Sequence, residues 1–389
     1  MLETPRANRL HIAFFGRTNS GKSTLLNQLA GQEISVVSAV SGTTTDPVYK
    51  SMELLPIGPV VLIDTAGLDD SSELGGLRTQ KTREVMRKTD LAVLVVAAHE
   101  TNFEEERRYL AMLEAEKVRA VCVLNRFDGE EAPALPFSIP TIALDARRPE
   151  EMGRFKKFLI ENAGRDFEIP FLSAHLVEER GLVMLVMPQD IQAPKGRLIL
   201  PQVQMTRELL DRHCRVISVT PDGVLPMLAV LRELPQLVIV DSQIFREVNE
   251  MLPPEIPLTS FSILMSENKG DIATFLEGAK AIRTLRPGDR VLIMEACTHH
   301  ALDGDIARQK LPKLLEKFVG GPVDFDVFSG PGFPENIREY KLILHCGGCM
   351  INRKNMLSRL SEAQQYGVPV TNFGVAIAYM NGMMDRIIY

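Results

Sequence analysis

The sequence predicts an α/β fold with mostly parallel sheets, divided into three domains. Three observations predict it. Short apolar runs alternate with helical patterns along the chain, as expected of strands buried on both faces. A Gly16-Arg17-Thr18-Asn19-Ser20-Gly21-Lys22-Ser23 stretch joins the first such run to the first helical pattern. An Ile169-Pro170 break followed by a new apolar run ends the first domain. The expected domains are 1–168, 169–264 and 265–389.

Composition sets the bounds. The chain has 389 residues, 45% hydrophobic and 24% charged, the profile of an ordinary globular protein. Its net charge of −6 argues against a nucleic-acid surface as the main business. No apolar run approaches membrane-spanning length; residues 91–98 come nearest and stop well short. The first residues, Met1-Leu2-Glu3-Thr4-Pro5-Arg6, hold no apolar signal core. Five cysteines without a small disulfide framework point to a cytoplasmic protein with reduced thiols. Cys122 and Cys214 read as buried or incidental thiols.

In domain one, His11-Ile12-Ala13-Phe14-Phe15 reads as a buried strand. It runs into the glycine loop, and Leu25 opens a helical pattern. Strand, loop and helix in that order are the context in which G-x-x-x-x-G-K-S binds phosphates. Backbone N–H groups of Gly16, Asn19, Ser20, Gly21 and Thr24 belong around the β- and γ-phosphates. Lys22 adds a positive charge there, and the Ser23 hydroxyl is placed for Mg²⁺.

Later pieces turn a nucleotide site into a guanine site. Gly42-Thr43-Thr44-Thr45-Asp46 follows the first helix, where a switch loop belongs; Thr43 or Thr44 is expected on Mg²⁺. Val60-Val61-Leu62-Ile63 is a strand ending in Asp64-Thr65-Ala66-Gly67. Asp64 then lies near the metal and the Gly67 N–H senses the γ-phosphate. Residues 91–98 form another strand. A further strand ends in Asn125-Arg126-Phe127-Asp128, where Asp128 can accept from two N–H groups of guanine. Together these residues resemble the Era-like GTPase family, which implies a P-loop GTPase domain; the alternation of strands and helices beyond it reads as two smaller α/β domains. Arg126 stands where that family usually has Lys. Its last guanine-contacting motif is Ser-Ala; Asp145-Ala146 takes that place here, so Ala146 is assigned to the base. Leu68 replaces a water-orienting Gln, which predicts slow intrinsic hydrolysis. Asn19 matches the asparagine that holds K⁺ in potassium-activated relatives, and such an ion would supply the charge of an arginine finger.

Domain two reads as a small α/β layer: strands over 181–188, 215–219 and 236–241, with helical patterns over 205–211 and 223–234. His175 and His213 are isolated and read as packing or surface residues. A layer with no chemistry of its own is a candidate for self-association as a homodimer.

Domain three alternates in the same way. Strands over 290–294, 323–328 and 340–344, and a last strand and turn over 368–374, accompany helical stretches over 306–318 and 355–365. Its chemistry lies in two pieces, Cys297-Thr298-His299 and His345-Cys346-Gly347-Gly348-Cys349. Each follows a strand, so all three thiols fall at carboxyl ends of strands, where open α/β sheets hold ligands. Three thiolates at one point suit an iron–sulfur cluster or a soft metal. The same spacing allows a structural zinc site from Cys297, Cys346, Cys349 and one of His299 or His345.

A GTPase domain, a middle layer and C-x-H…H-C-x-x-C in a third domain resemble the FeFe-hydrogenase maturation GTPase family (HydF) over the whole chain. The resemblance implies a 4Fe–4S cluster on Cys297, Cys346 and Cys349, with His299 and His345 as further ligands or hydrogen-bonding neighbours. Three cysteines leave one iron of a cubane without a thiolate, open to an exchangeable ligand. It also implies a scaffold or carrier that holds a precursor of the hydrogenase's two-iron subcluster, loaded by radical maturation enzymes and delivered to apo-FeFe-hydrogenase. The nucleotide state would act as a switch on partner binding. Expected cofactors are GTP, Mg²⁺, K⁺ and the cluster; neither nucleic acid nor membrane is expected as a partner. Two other readings compete: an Era-like ribosome- or RNA-associated GTPase with structural zinc, and a thiol oxidoreductase using Cys346 and Cys349.

Overall fold

The computed structural model describes residues 6–31, 47–65, 75–126, 133–163, 171–189, 196, 198–296, 306–330 and 332–389. The chain divides into two compact units, Met1–Glu168 and Ile169–Tyr389.

The first unit contains β1 (Leu10–Phe15), α1 (Lys22–Ala30), β2 (Val48–Leu54), β3 (Gly58–Asp64), α2 (Gly75–Met86) and β4 (Leu91–Ala97). It continues through α3 (Glu104–Ala115), β5 (Arg119–Asn125), β6 (Thr141–Leu144) and α4 (Met152–Ala163). The sheet order is β2-β3-β1-β4-β5-β6, parallel except for β2. The period of two along each strand explains the unbroken apolar runs. Ile12, Phe14, Leu62, Val93 and Val123 face one core, which Leu25 and Leu29 of α1 and Phe155 and Leu159 of α4 complete. Phe15, Ile63, Leu94 and Cys122 face the other, with Met86 of α2 and Tyr109 and Leu113 of α3. Cys122 is therefore a packing thiol, and burial pushes its pKa up to about 12. Strand β2 has no counterpart among the sequence-predicted strands. It is a half-exposed antiparallel edge that pairs Val48 with Asp64, and its residues lack a continuous apolar run.

The second unit holds two parallel four-stranded sheets. The first of them uses β7 (Leu182–Val186), α5 (Leu200–Asp211), β8 (Arg215–Val219), α6 (Val224–Val230), β9 (Leu237–Val240), α7 (Phe245–Met251) and β10 (Leu258–Ser260), in strand order β10-β9-β7-β8. Helices α8 (Phe261–Lys269) and α9 (Ile272–Lys280) follow. The other sheet uses β11 (Arg290–Glu295), α10 (Leu311–Val319), β12 (Asp324–Ser329), β13 (Leu342–His345), α11 (Arg353–Tyr366), β14 (Val370–Asn372) and α12 (Phe373–Met380), in order β12-β11-β13-β14.

The expected division at 264/265 falls inside α8, which Ser260 caps by accepting the Ile263 N–H. Both sheets also share one core. Met184, Val186, Val238 and Val240 of the first sheet pack in the same cluster as Val291, Ile293, Leu342 and Leu344 of the second. The last residues tie the two sheets further: Ile388 N–H donates to the Leu258 carbonyl, and Arg386 donates to Asn249 and to the carbonyls of Pro253 and Ile256. Where the sequence suggested only a turn after residue 372, Asn372 caps α12 by accepting from the Val375 N–H at 2.8 Å. The helix Phe373–Met380 is almost wholly apolar, so no periodicity marked it.

Candidate functional site

Two sites lie at the carboxyl edges of these sheets, and each is built differently. In the first unit the chain leaves β1 toward β2 and β3 on one side, and leaves β4 toward β5 and β6 on the other. The loop after β1 therefore sits where the strand order reverses, the standard position for a ligand crevice. Gly16 begins that loop, and Lys22 starts α1. The Lys22 ammonium is buried and donates to the carbonyls of Gly16 at 2.9 Å and Arg17 at 2.6 Å. Asn19 takes a left-handed φ of 63°, and its side chain and that of Thr24 are exposed.

Asn125, at the end of β5, is fully buried and ties the site together. Its Nδ2 donates to the Ser20 carbonyl at 2.9 Å, and its Oδ1 accepts from the Ala146 N–H at 3.0 Å. Gly21 has φ +96°, and a Cβ there would stand 2.1 Å from Asn125 Nδ2, so glycine is required twice over. Ser23 Oγ donates to Asp64 Oδ2 at 2.5 Å. Ser20 Oγ and Asp64 Oδ1 are buried with no hydrogen-bond partner among the described residues. A free carboxylate oxygen beside a hydroxyl is a donor set that fits Mg²⁺. Asp145 is bound by its near neighbour: the Arg147 guanidinium, reinforced by the Arg147 N–H, holds its carboxyl at about 2.

One feature of this site was not anticipated. Arg17 forks onto Glu106 of α3, Nε to Oε1 at 2.9 Å and Nη2 to Oε2 at 3.3 Å. Glu106 is buried, so this pair fixes the outer side of the loop. Thr43, Thr44, Gly67 and Asp128 lie outside the described residues.

The second site is at the carboxyl ends of β11 and β13. These neighbours lead to opposite sides, β11 to β12 and β13 to β14, so the strand order reverses between them. His345 ends β13 opposite Met294. The Cys346 N–H donates to the Met294 carbonyl at 2.8 Å, and the Ala296 N–H donates to Cys346 Sγ at 3.1 Å. Ala296 is the residue before Cys297. Cys297 and His299 themselves lie outside the described residues. Among the described residues no three His, Cys, Asp or Glu side chains converge. Gly348 turns the loop with φ +63°, and a Cβ there would meet Met356 Cε at 2.4 Å. Cys346 and Cys349 are both partly accessible. Burial raises the Cys349 thiol pKa, while the charge of Lys269 at the end of α8 opposes that rise.

His345 is buried and both ring nitrogens are engaged. Nδ1 faces the Cys346 carbonyl at 2.6 Å, which can only accept, so Nδ1 carries the proton. Nε2 therefore accepts from Arg359 Nη1 at 3.1 Å. As placed, both ring nitrogens of His345 are taken up by protein groups, the arrangement of a hydrogen-bonding neighbour rather than of a ligand, the two roles that the resemblance implied. Burial first, and the Arg359 charge second, pull its pKa down to about 3. Two buried charges near this edge were not foreseen. Arg359 reaches back from α11, and Glu295 accepts from Arg308 and Ser329, each at 3.2 Å. Only amphipathic spacing marked their helices and strands, and burial of a charge leaves no motif. The thiol pair, with buried cations close by, fits a thiolate-bound metal centre.

Comparison with known proteins adds the family. Residues 11–126 match the family model described as a 50S ribosome-binding GTPase. Residues 172–270 match the hydrogen maturase F dimerization domain, and 273–389 its tetramerization domain. These last two models together account for more than half of the chain. The chain belongs to the hydrogen maturase F family. Hydrogen maturase F domains thus coincide with the second compact unit, and a GTPase domain with the first. Among curated relatives, GTPase Der of Sulfurimonas denitrificans is 36% identical over 125 residues, covering 31% of this chain and 25% of its own length. The tRNA modification GTPase MnmE of Nitrosomonas europaea is 33% identical over 186 residues, 47% of this chain and 41% of its own. The chain thus spans less than half the length of these relatives. The G domain of the T. maritima FeoB iron transporter is similar at 23% identity, over 40% of this chain and 99% of that one, with a TM-score of 0.32, too low to carry an argument.

Proposed function

We propose that this chain is a GTP-hydrolysing scaffold in FeFe-hydrogenase maturation, holding a 4Fe–4S cluster on Cys297, Cys346 and Cys349. It delivers the two-iron subcluster precursor, received from radical maturation enzymes, to apo-hydrogenase. The observation that carries the reading is the Ala296 N–H on Cys346 Sγ. It joins the strand that leads to Cys297 to the second thiol motif, inside a hydrogen maturase F domain.

In the first unit Lys22 supplies charge at the phosphates, and Asn125 holds the loop in shape for guanine recognition by Asp128 and Ala146. Mg²⁺, when bound beside Ser23 and Asp64, offsets phosphate charge. Asn19 would hold K⁺ beside the phosphates, where the ion would supply the same kind of charge, so turnover should be faster in K⁺ than in Na⁺. Thr43, Thr44 and Gly67 report the γ-phosphate and gate partner binding. The scaffold is a homodimer in this reading. Strand β8 is a sheet edge, and the helices before and after it expose Val203 and Leu210 of α5 and Leu225 and Val230 of α6, apolar surface that suits a second copy. The cytoplasm, with its reducing poise, suits free thiols. No helix among the described residues is long and apolar enough to cross a membrane.

Anaerobic purification and reconstitution test the reading. A brown protein with visible absorption and about four irons per chain is expected. A colourless protein holding one zinc would sink it in favour of the structural-zinc, RNA-associated reading.

A further inference from the structure

Arg359 stands out among the groups that the proposed reaction leaves unused. It lies on α11, six residues beyond Arg353 at the helix start, and is almost fully buried. Its guanidinium makes hydrogen bonds in three directions: Nη1 to His345 Nε2, Nε to Asn355 Oδ1 at 3.2 Å, and Nη2 to the Gly330 carbonyl. None of these three hydrogen-bond partners carries a charge; of the anionic groups that act on it, Cys346 comes first and the half-buried Glu362, three residues further along α11, second. Buried cations are ordinarily balanced by an anion, because removing one from water is costly. The hydrogen-bonded chain Arg359–His345 ends one residue from Cys346, whose Sγ accepts the Ala296 N–H.

We propose that Arg359 is the internal counter-charge of the thiolate centre and its positioning residue. Its Nη1–H occupies the His345 lone pair and keeps that ring off the metal, while its positive charge favours the more negative state of the centre. This inference rests on the proposed thiolate site. The electrostatics give it a direction. Reducing an iron–sulfur centre adds one negative charge, which a nearby buried cation stabilises. Removing the cation must make reduction harder. The alternative, that Arg359 only pins the Gly330 loop to α11, predicts no change in potential once the protein folds. Burial lowers the Arg359 pKa, and Cys346 first and Glu362 second oppose that shift.

The experiment uses the full chain, reconstituted anaerobically, with dithionite titration followed by EPR. Arg359→Gln should shift the reduction equilibrium about tenfold toward the oxidised cluster, which is 59 mV lower for a one-electron couple. Arg359→Lys keeps the charge and should stay within about twofold of wild type. An Arg359→Gln protein with full iron and the wild-type potential overturns the proposal. If that variant does not fold, Co²⁺ loaded into the wild-type and His345→Gln chains decides. Unchanged visible bands support a histidine held off the metal, and loss of a nitrogen-donor band in His345→Gln overturns it. A wild-type chain that takes up Co²⁺ or zinc yet no iron defeats the cluster reading alone, and the Co²⁺ comparison still reads the position of His345.

Discussion

The nucleotide loop and the thiol loop occupy equivalent places, each at a carboxyl edge where strand order reverses, yet they are made of different material. The first is assembled from backbone. One contiguous stretch presents its amides, Lys22 is held by two carbonyls of the same loop, Asn125 ties Ser20 of the loop to Ala146, and Arg17 pairs with Glu106 on its outer side. In the second, the side chains of His345, Cys346 and Cys349 follow one strand, a backbone N–H at the end of a neighbouring strand far away in sequence holds Cys346 Sγ, and a buried cation comes from the helix that follows both strands. A site made of backbone can be specified by one short motif, because glycine and a helix start fix the donors. A site made of side chains needs its surroundings to set charge and orientation, and those residues are dispersed.

If the two regions are chemically independent, damage to either should spare the other. The largest effect belongs to Lys22→Ala, which removes the preorganised cation at the phosphates. GTP turnover should fall by about 10²–10³-fold or more, with iron content unchanged; loss of iron in this variant would break the separation. Next comes Cys346→Ser. It removes the sulfur that accepts the Ala296 N–H and should strip the cluster, from about four irons to less than one. GTP turnover should stay within about twofold, measured by phosphate release in the same preparation.

Asn125→Ala sharpens the comparison from the other side, because it tests one side chain within a backbone site. It strands the Ser20 carbonyl and the Ala146 N–H, each costing about 1–3 kcal/mol when buried without a partner. Weaker binding of a fluorescent guanine nucleotide and an earlier thermal transition of the first unit are expected. Unchanged affinity would show that Asn125 does not hold the loop.

The smallest effect concerns acid. Asp145 has its carboxyl held at about 2 by Arg147, below the ordinary value near 3.9. A lowered carboxyl pKa gives stability that is fully present above the unfolded value and is lost as pH falls through about 2. The stability gap between wild type and Asp145→Asn should therefore narrow between about pH 4 and 2. The gap should be small throughout, since Arg147 is 45% exposed and solvent screens the pair. Thermal unfolding of both proteins across that window measures it. A gap that stays constant means that Asp145 contributes no pH-dependent stability.

How much the sequence revealed follows the same division. Strands β1, β4 and β5 were legible because parallel strands buried on both faces must be apolar throughout. The loop from Gly16 to Ser23 was legible because its chemistry is local. Strand β2 was not, since an exposed antiparallel edge keeps polar residues at alternate positions. Helices α8 and α9 were hidden by their position beside an apparent domain border. In the packing, Ile263 on α8 and Phe275 on α9 join the core that both sheets share. Cys346 and Cys349 announced themselves by type and spacing. Arg359 did not, because its importance comes from being buried against His345, and an arginine in an amphipathic helix ordinarily faces water.

The common core of the second unit bears on how such a chain can be inherited. A recombination breakpoint between 270 and 273, where the two matched hydrogen maturase F domains meet, would split a single apolar interior. Neither half could be transplanted without exposing what the other covers. The GTPase unit, with both faces of its sheet closed by its own helices, is free to travel between lineages as a cassette. Descent should accordingly keep 172–389 together as one block, while the nucleotide-binding half turns up attached to many different neighbours.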